Sequence, residues 1–373
     1  MKKKISSFLS VVLLFSSLVF ISNSVQAVVD NDASIVKLYK VCTVNNVEIP
    51  NCFTTSASLM SWIGNTRTVS TALTVEAGPG VHDFFRCSDT DKLSIVGAGP
   101  TQTSFQGLHA SNCFDLNVQN ITITNSFPAP IYWIGDGSSI WTNVQVLGDI
   151  YAWTETNCGL ITKRPVHKWF SSQLWSKSKT VFLASCSENW IFGSELVLKG
   201  PSFNGVKNGI MVRAATGENT YPEVHLYGGN LRVILQDDEV YSGMNAVKAG
   251  RNGEVHIHGT GIDVIGNNLN NNVTAINAVD GGIVHAAQSA FVMKTTGNGK
   301  LIRISNIASK VMAPYLWESD ILAKGSDFVS VNGADSTTET VCNNAVCIPH
   351  SLIYTDSCTA NGPWYDISSN SCR

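Results

Sequence analysis

Three observations predict an all-β chain, a parallel β-helix. A four-residue pattern recurs across 207–310: Met211-Val212-Arg213-Ala214, Ala246-Val247-Lys248-Ala249, Ala275-Ile276-Asn277-Ala278 and Leu301-Ile302-Arg303-Ile304. A second row follows each of the first three (Val224-His225-Leu226, Val255-His256-Ile257, Val284-His285-Ala286), and a third reads Val233-Ile234, Val264-Ile265 and Val292-Met293. Spacings of 26 to 35 residues hold short alternating strands and Gly- and Asn-rich turns, with no room for a helix of ordinary length. Units of this kind bury their apolar faces only by stacking on neighbours.

In chain order, Met1-Lys2-Lys3-Lys4, an apolar run over 8–21 and the small-residue site ending at Ala27 predict a signal peptide over 1–27. The run is short and broken by serines, and no later run reaches the roughly 18 apolar residues of a membrane span. The expectation is a secreted or periplasmic protein with no membrane insertion. Residues 28–66 are not repetitive; 57–63 suits a short helix, and the segment is read as an N-terminal cap over the open end of the array. The β-helix is expected over 67–335. Strands at 73–82 and 93–101 end in the turns Gly78-Pro79 and Gly99-Pro100, and further coils follow at 104–107, 113–123 and 139–146.

On these segments, 75–107 above all, the sequence resembles the pectin lyase-like superfamily of right-handed parallel β-helices, over roughly 70–310. The resemblance implies the handedness and a relation to pectate lyases, polygalacturonases and pectin methylesterases. A shared fold is a weak guide to activity.

Removing the peptide moves the formal charge from −3 to −6, because it carries three lysines and no acid. A mildly acidic chain argues against a nucleic-acid partner. All ten cysteines follow the peptide, which favours disulfides over metal sites. Cys87 and Cys113, and Cys158 and Cys186, are each about one coil apart and are read as staples between coils. Cys42 and Cys52 would close a short loop. Cys342, Cys347, Cys358 and Cys372 hold together a small C-terminal segment, 336–373, with three pairings open.

The region 131–191 holds six of the nine tryptophans, and 158–187 has five Lys and Arg residues and no Asp or Glu. The lyase chemistry implied by the resemblance needs a base to abstract a proton α to a uronate carboxylate, and Lys163, Arg164 and Lys168 are the candidates. The pectin methylesterase pattern finds Gln173 and Trp190-Ile191-Phe192-Gly193 in place. Its two catalytic aspartates fall on Leu174 and Asn189, which removes that mechanism. The polygalacturonase series points to Asp237 and Asp238, with Tyr221 where a further aspartate is needed.

Binding demands least of the sequence. Aromatic rings stack on sugars while cations hold acidic groups, and Trp169, Trp175, Gln173, Lys177 and Lys179 are the expected ligand-binding residues. Trp133 or Trp153 is expected in the core, and Trp169 or Trp175 outside. His225, His256 and His285 are expected as an outward column at about 4.8 Å spacing. It is read as an exterior ladder whose imidazoles have the chemistry to bind a metal or titrate near neutral pH. Arg213, Lys248, Asn277 and Arg303 form a second outward column. No metal site or cofactor is assigned, and nothing specifies an oligomeric state. The expected partner is an acidic polysaccharide, which the protein binds or binds and degrades; the alternative is an inactive adhesin or structural surface protein.

Overall fold

The computed structural model describes residues 34–66, 72–125, 129–156, 163–199, 205–215, 220–234, 243–266, 272–287 and 289–290. Beyond these it describes the strand backbones within Ala290–Ser305, Lys310–Met312, Asp320–Val331, Ala334–Asp335, Leu352–Tyr354, Trp364–Asp366 and Ser371–Cys372. The signal peptide, Asp237, Asp238, Cys158, Cys342, Cys347 and Cys358 lie outside the described residues, as does the side chain of Cys372.

The described chain is a parallel β-solenoid. Each coil contributes one strand to each of three sheets. In the first sheet, Leu73–Ala77 is followed by Leu93–Gly97, the ends of Leu108–Gln119 and Ile131–Thr142, then Val166–Phe170, Glu188–Phe192, Glu223–Tyr227, Glu254–His258 and Ile283–Ala287, every neighbour parallel. The second sheet includes Gln145–Gly148, Gln173–Ser176, Glu195–Lys199 and Asn230–Ile234. The third includes Tyr151–Thr156, Thr180–Ala184, Val206–Arg213, Gly243–Gly250 and Asn272–Val279. The helix Ser56–Thr66 starts at Ser56 and sends Leu59 and Ile63 into the core.

Period-2 alternation decides what each strand buries. In Glu254–His258, Val255 and Ile257 are fully buried while Glu254, His256 and His258 are half-exposed. The inward column of the first sheet runs Val75, Ile95, Val118, Trp141, Trp169, Ile191, Leu226, Ile257, Ala286. Its two tryptophans stack at 4.8 Å and 10°, and Trp153 meets Trp169 edge-on at 5.2 Å.

Trp133 and Trp153 are core, as expected, but so is Trp169, at 0 % exposure. It points inward because it follows His167 by two residues on one strand, both on the buried side. It therefore cannot stack on a sugar. The first repeat also slips by two residues: Ile210 pairs with Val247, so Met211 stands opposite Lys248 and Arg213 opposite Gly250. Asn277 is in the Lys248 column but is buried, donating to Asn245 at 2.7 Å. The third row slips by one, with Met293 rather than Val292 opposite Val264.

Cys42–Cys52 closes the hairpin of Thr43–Val44 with Val47–Glu48, and Cys87–Cys113 joins neighbouring coils. The second pair does not stack squarely. Cys87 faces Ala110 and Cys113 faces Thr90, because these strands pair with a constant offset of 23 residues (Cys87 to Ala110) while the cysteines are 26 apart. Cys186 is disulfide-bonded to a cysteine outside the described residues. Disulfides indicate an oxidising, extracellular type of compartment. Among the described residues no helix is long and apolar enough to cross a membrane.

Candidate functional site

In the strand Gln173–Ser176, Gln173 and Trp175 face solvent and Leu174 and Ser176 face the core. The neighbouring strands place Leu147 and Val197 on either side of Trp175. Trp175 keeps 42 % of its surface exposed, a large value for an indole. It lies in an open groove of about 670 Å³ with Lys177, Lys199, Gln106, Thr124 and Asp149. Lys177 Nζ is 2.7 Å from Asp149 Oδ1 and remains well exposed. An aromatic face, two ammonium groups and neutral hydrogen-bonding side chains thus share one depression. Gln173 is exposed on the same strand, whereas Lys179 lies over the Tyr151 ring at 5.4 Å.

The basic stretch is partly neutralised once folded. Arg164 Nη1 lies 3.1 Å from Glu223 and 3.7 Å from Glu188, carboxylates brought in by the next two coils. A guanidinium held by two carboxylates is no general base, so Arg164 leaves the list of candidate bases. Lys163 is exposed, and its backbone N–H donates to Asp136 at 3.4 Å. Lys168 is exposed and lines a second groove, about 500 Å³, with Lys92, Asp115, Asn117 and Ser138. Leu174 and Asn189, the positions matched to esterase aspartates, are both fully buried.

Lys168 also heads an outward column, Lys168, Trp190, His225, His256, His285. Trp190 stacks on His225 at 4.0 Å, and the three imidazoles follow at 4.5 Å steps with ring planes within 9°. The expected histidine column is thus present. A parallel column runs Phe170, Phe192, Tyr227, His258. Rings stacked on one another have their faces occupied, so this surface offers ring edges, unlike Trp175.

A third column, Glu188, Glu223, Glu254, was missed by sequence reasoning. Its signal is Glu-x-Trp/His at 188–190, 223–225 and 254–256. Each acid accepts from the ring two residues on: Trp190 Nε1 at 2.6 Å, His225 Nε2 at 3.2 Å and His256 Nε2 at 3.0 Å. The next rung has Ile283 in place of an acid, and His285 reaches back to Glu254 at 2.8 Å. Those hydrogen bonds, that from His256 first, hold Glu254 well below the usual carboxylate range.

Inside the solenoid lies a second missed cluster. Glu155, 3 % exposed, accepts from the backbone N–H groups of Ser185, Cys186 and Ser187 and from Trp153 Nε1 at 3.1 Å. His167 Nε2 is 4.0 Å from it, and His167 Nδ1 is 2.7 Å from Ser139 Oγ. Serine, histidine and carboxylate in series suggest a nucleophile, but exposures of 0 to 3 % deny substrate access. The carboxylate instead anchors the turn carrying Cys186. Burial lowers His167 to about 4, so the imidazole is neutral at pH 7.

No protein-family model, curated protein or solved structure matches this chain.

Proposed function

We propose that this protein is an exported β-helix that binds an acidic polysaccharide in the Trp175 groove. The observation that carries it is the shared depression of Trp175, Lys177 and Lys199 on a parallel sheet. A pyranose places its C–H face on an indole by apolar contact, and ammonium groups flanking the ring hold carboxylates or sulfates. A parallel sheet repeats its outward positions every ~4.8 Å, so an extended polymer can run along it. The resemblance to pectin lyase-like proteins supports the same ligand class, and the right-handed winding belongs to this reading. The signal-peptide pattern and the disulfides support an encounter outside the cytoplasm.

Among the described residues the two grooves hold one carboxylate each, Asp149 and Asp115, whereas glycoside hydrolysis uses a pair, which favours binding. The test is affinity electrophoresis and calorimetry of the mature chain with polygalacturonate, alginate and a sulfated glycan. Retardation that Trp175→Ala abolishes and Lys199→Ala weakens supports the proposal. Release of unsaturated ends, lost in Lys168→Ala, would replace it with a lyase. Silence with every glycan would leave the adhesive or structural role.

A further inference from the structure

We propose that Glu254, His256 and His285 form a binding site for a divalent transition-metal ion of the zinc class. Two imidazole nitrogens and a carboxylate oxygen lie within 4.8 Å of one another, with Glu254 Oε1 at 3.0 Å from His256 Nε2 and 2.8 Å from His285 Nε2. Both nitrogens are directed at a single oxygen, and a dication between them replaces the two N–H donors. Imidazole with carboxylate is a donor set for zinc, copper or nickel, whereas calcium and magnesium take oxygens.

The backbone prepares the site. His256 and His285 are directly opposed on parallel strands, and the inward Val255, Ile257, Val284 and Ala286 are fully buried beneath them. Little ordering is left to do on binding, which removes one of its usual costs. The ligand side chains are 15 to 29 % exposed, so an ion enters from solvent and keeps coordination positions open to water. The Glu254 carboxylate, held well below the usual carboxylate range, supplies negative charge that attracts a dication.

The neighbouring triplet, Glu223, His225 and His256, has similar spacing but a poorer environment. Arg164 sits 3.1 Å from Glu223 and repels a second cation, and His225 is only 8 % exposed. The two triplets share His256, so the column takes one ion.

The experiment is calorimetric titration of the tag-free full-length chain with zinc chloride, and separately with magnesium chloride. Zinc is expected to bind one to one and to raise the melting temperature, and magnesium to do neither. His256→Gln, His285→Gln and Glu254→Gln should each weaken zinc by more than the roughly 10–100-fold that loss of an outer-shell partner costs. His258→Gln, on the same face, should bind as the parent does. Circular dichroism of each variant without metal confirms that the fold is retained. Zinc binding that survives in His256→Gln, or no binding by the folded parent at millimolar zinc, overturns the site. Glycan binding at Trp175 is measured independently, so the two proposals fail separately.

Discussion

Glu254 Oε1 lies 2.8 Å from Nε2 of His285, a histidine one coil further along the solenoid. The contact exists because Ile283 occupies the acid position of that coil, leaving His285 without a carboxylate of its own. One acid therefore serves two stacked imidazoles. Replacing Glu254 with Ala removes the one acceptor that both imidazoles share. Because the group is partly exposed, the expected loss is about 1 kcal/mol. A urea titration of the full-length chain at neutral pH without metal measures it, and a loss as large as a core deletion would contradict the exposure argument.

Trp169 and Trp175 should separate stability from binding. Trp169→Ala empties a fully buried position between Trp141 and Trp153 and should cost about 3–5 kcal/mol. Trp175→Ala removes a half-exposed ring, should move the melting temperature little and should abolish glycan retardation. Phenylalanine at 169 should restore much of the stability. If instead the folded Trp169→Phe variant lost glycan and Trp175→Ala kept it, the groove would be misassigned.

His167 predicts a pH slope. Its folded value of about 4 lies below the ordinary value of 6.5, so the unfolded chain takes up the proton first. The stability from keeping this imidazole neutral is complete above pH 6.5 and drains away as pH falls from 6.5 towards 4. The difference of about 2.5 units corresponds to about 3 kcal/mol. Glu155 is the charged neighbour facing the ring and opposes the shift. Urea midpoints at pH 7, 5.5 and 4.5 should fall in the parent and fall less in His167→Gln. Equal slopes would assign the acid sensitivity to other groups.

Removing the Cys87–Cys113 bridge frees a loop of 26 residues in the unfolded chain. The paired change Cys87→Ala with Cys113→Ala should cost about 3 kcal/mol. Thermal melting of oxidised parent against variant measures it, and coincident melts would show that the bridge constrains nothing.

The fold was legible because a solenoid writes its rule locally. Val255-His256-Ile257 and Val284-His285-Ala286 announce in, out, in, and the structure sets His256 against His285 in register. The helix expected over 57–63 is present as Ser56–Thr66. The site was less legible. Trp169 and Trp175 look alike in sequence, since a wide solenoid interior accepts indole rings as readily as a surface does. The stretch 158–187 contains no acid, yet Arg164 meets Glu223 across 59 positions of sequence.

Alternation along each strand was set by the sequence alone, because side chains on a pleated backbone point to opposite faces with period 2. That decided which residues share a surface and which fill the core. Which side chain stands above which was decided only by the tertiary structure. In the first sheet the step between rungs runs from 20 residues, Val75 to Ile95, to 35, Ile191 to Leu226, and in the third it reaches 37, Ile210 to Val247. Turns absorb the difference without disturbing the strands, so local pattern survives while partners change. Arg213 missed Lys248 for this reason, and Glu254 acquired His285 because hydrogen bonding between coils, rather than spacing along the chain, fixes the register.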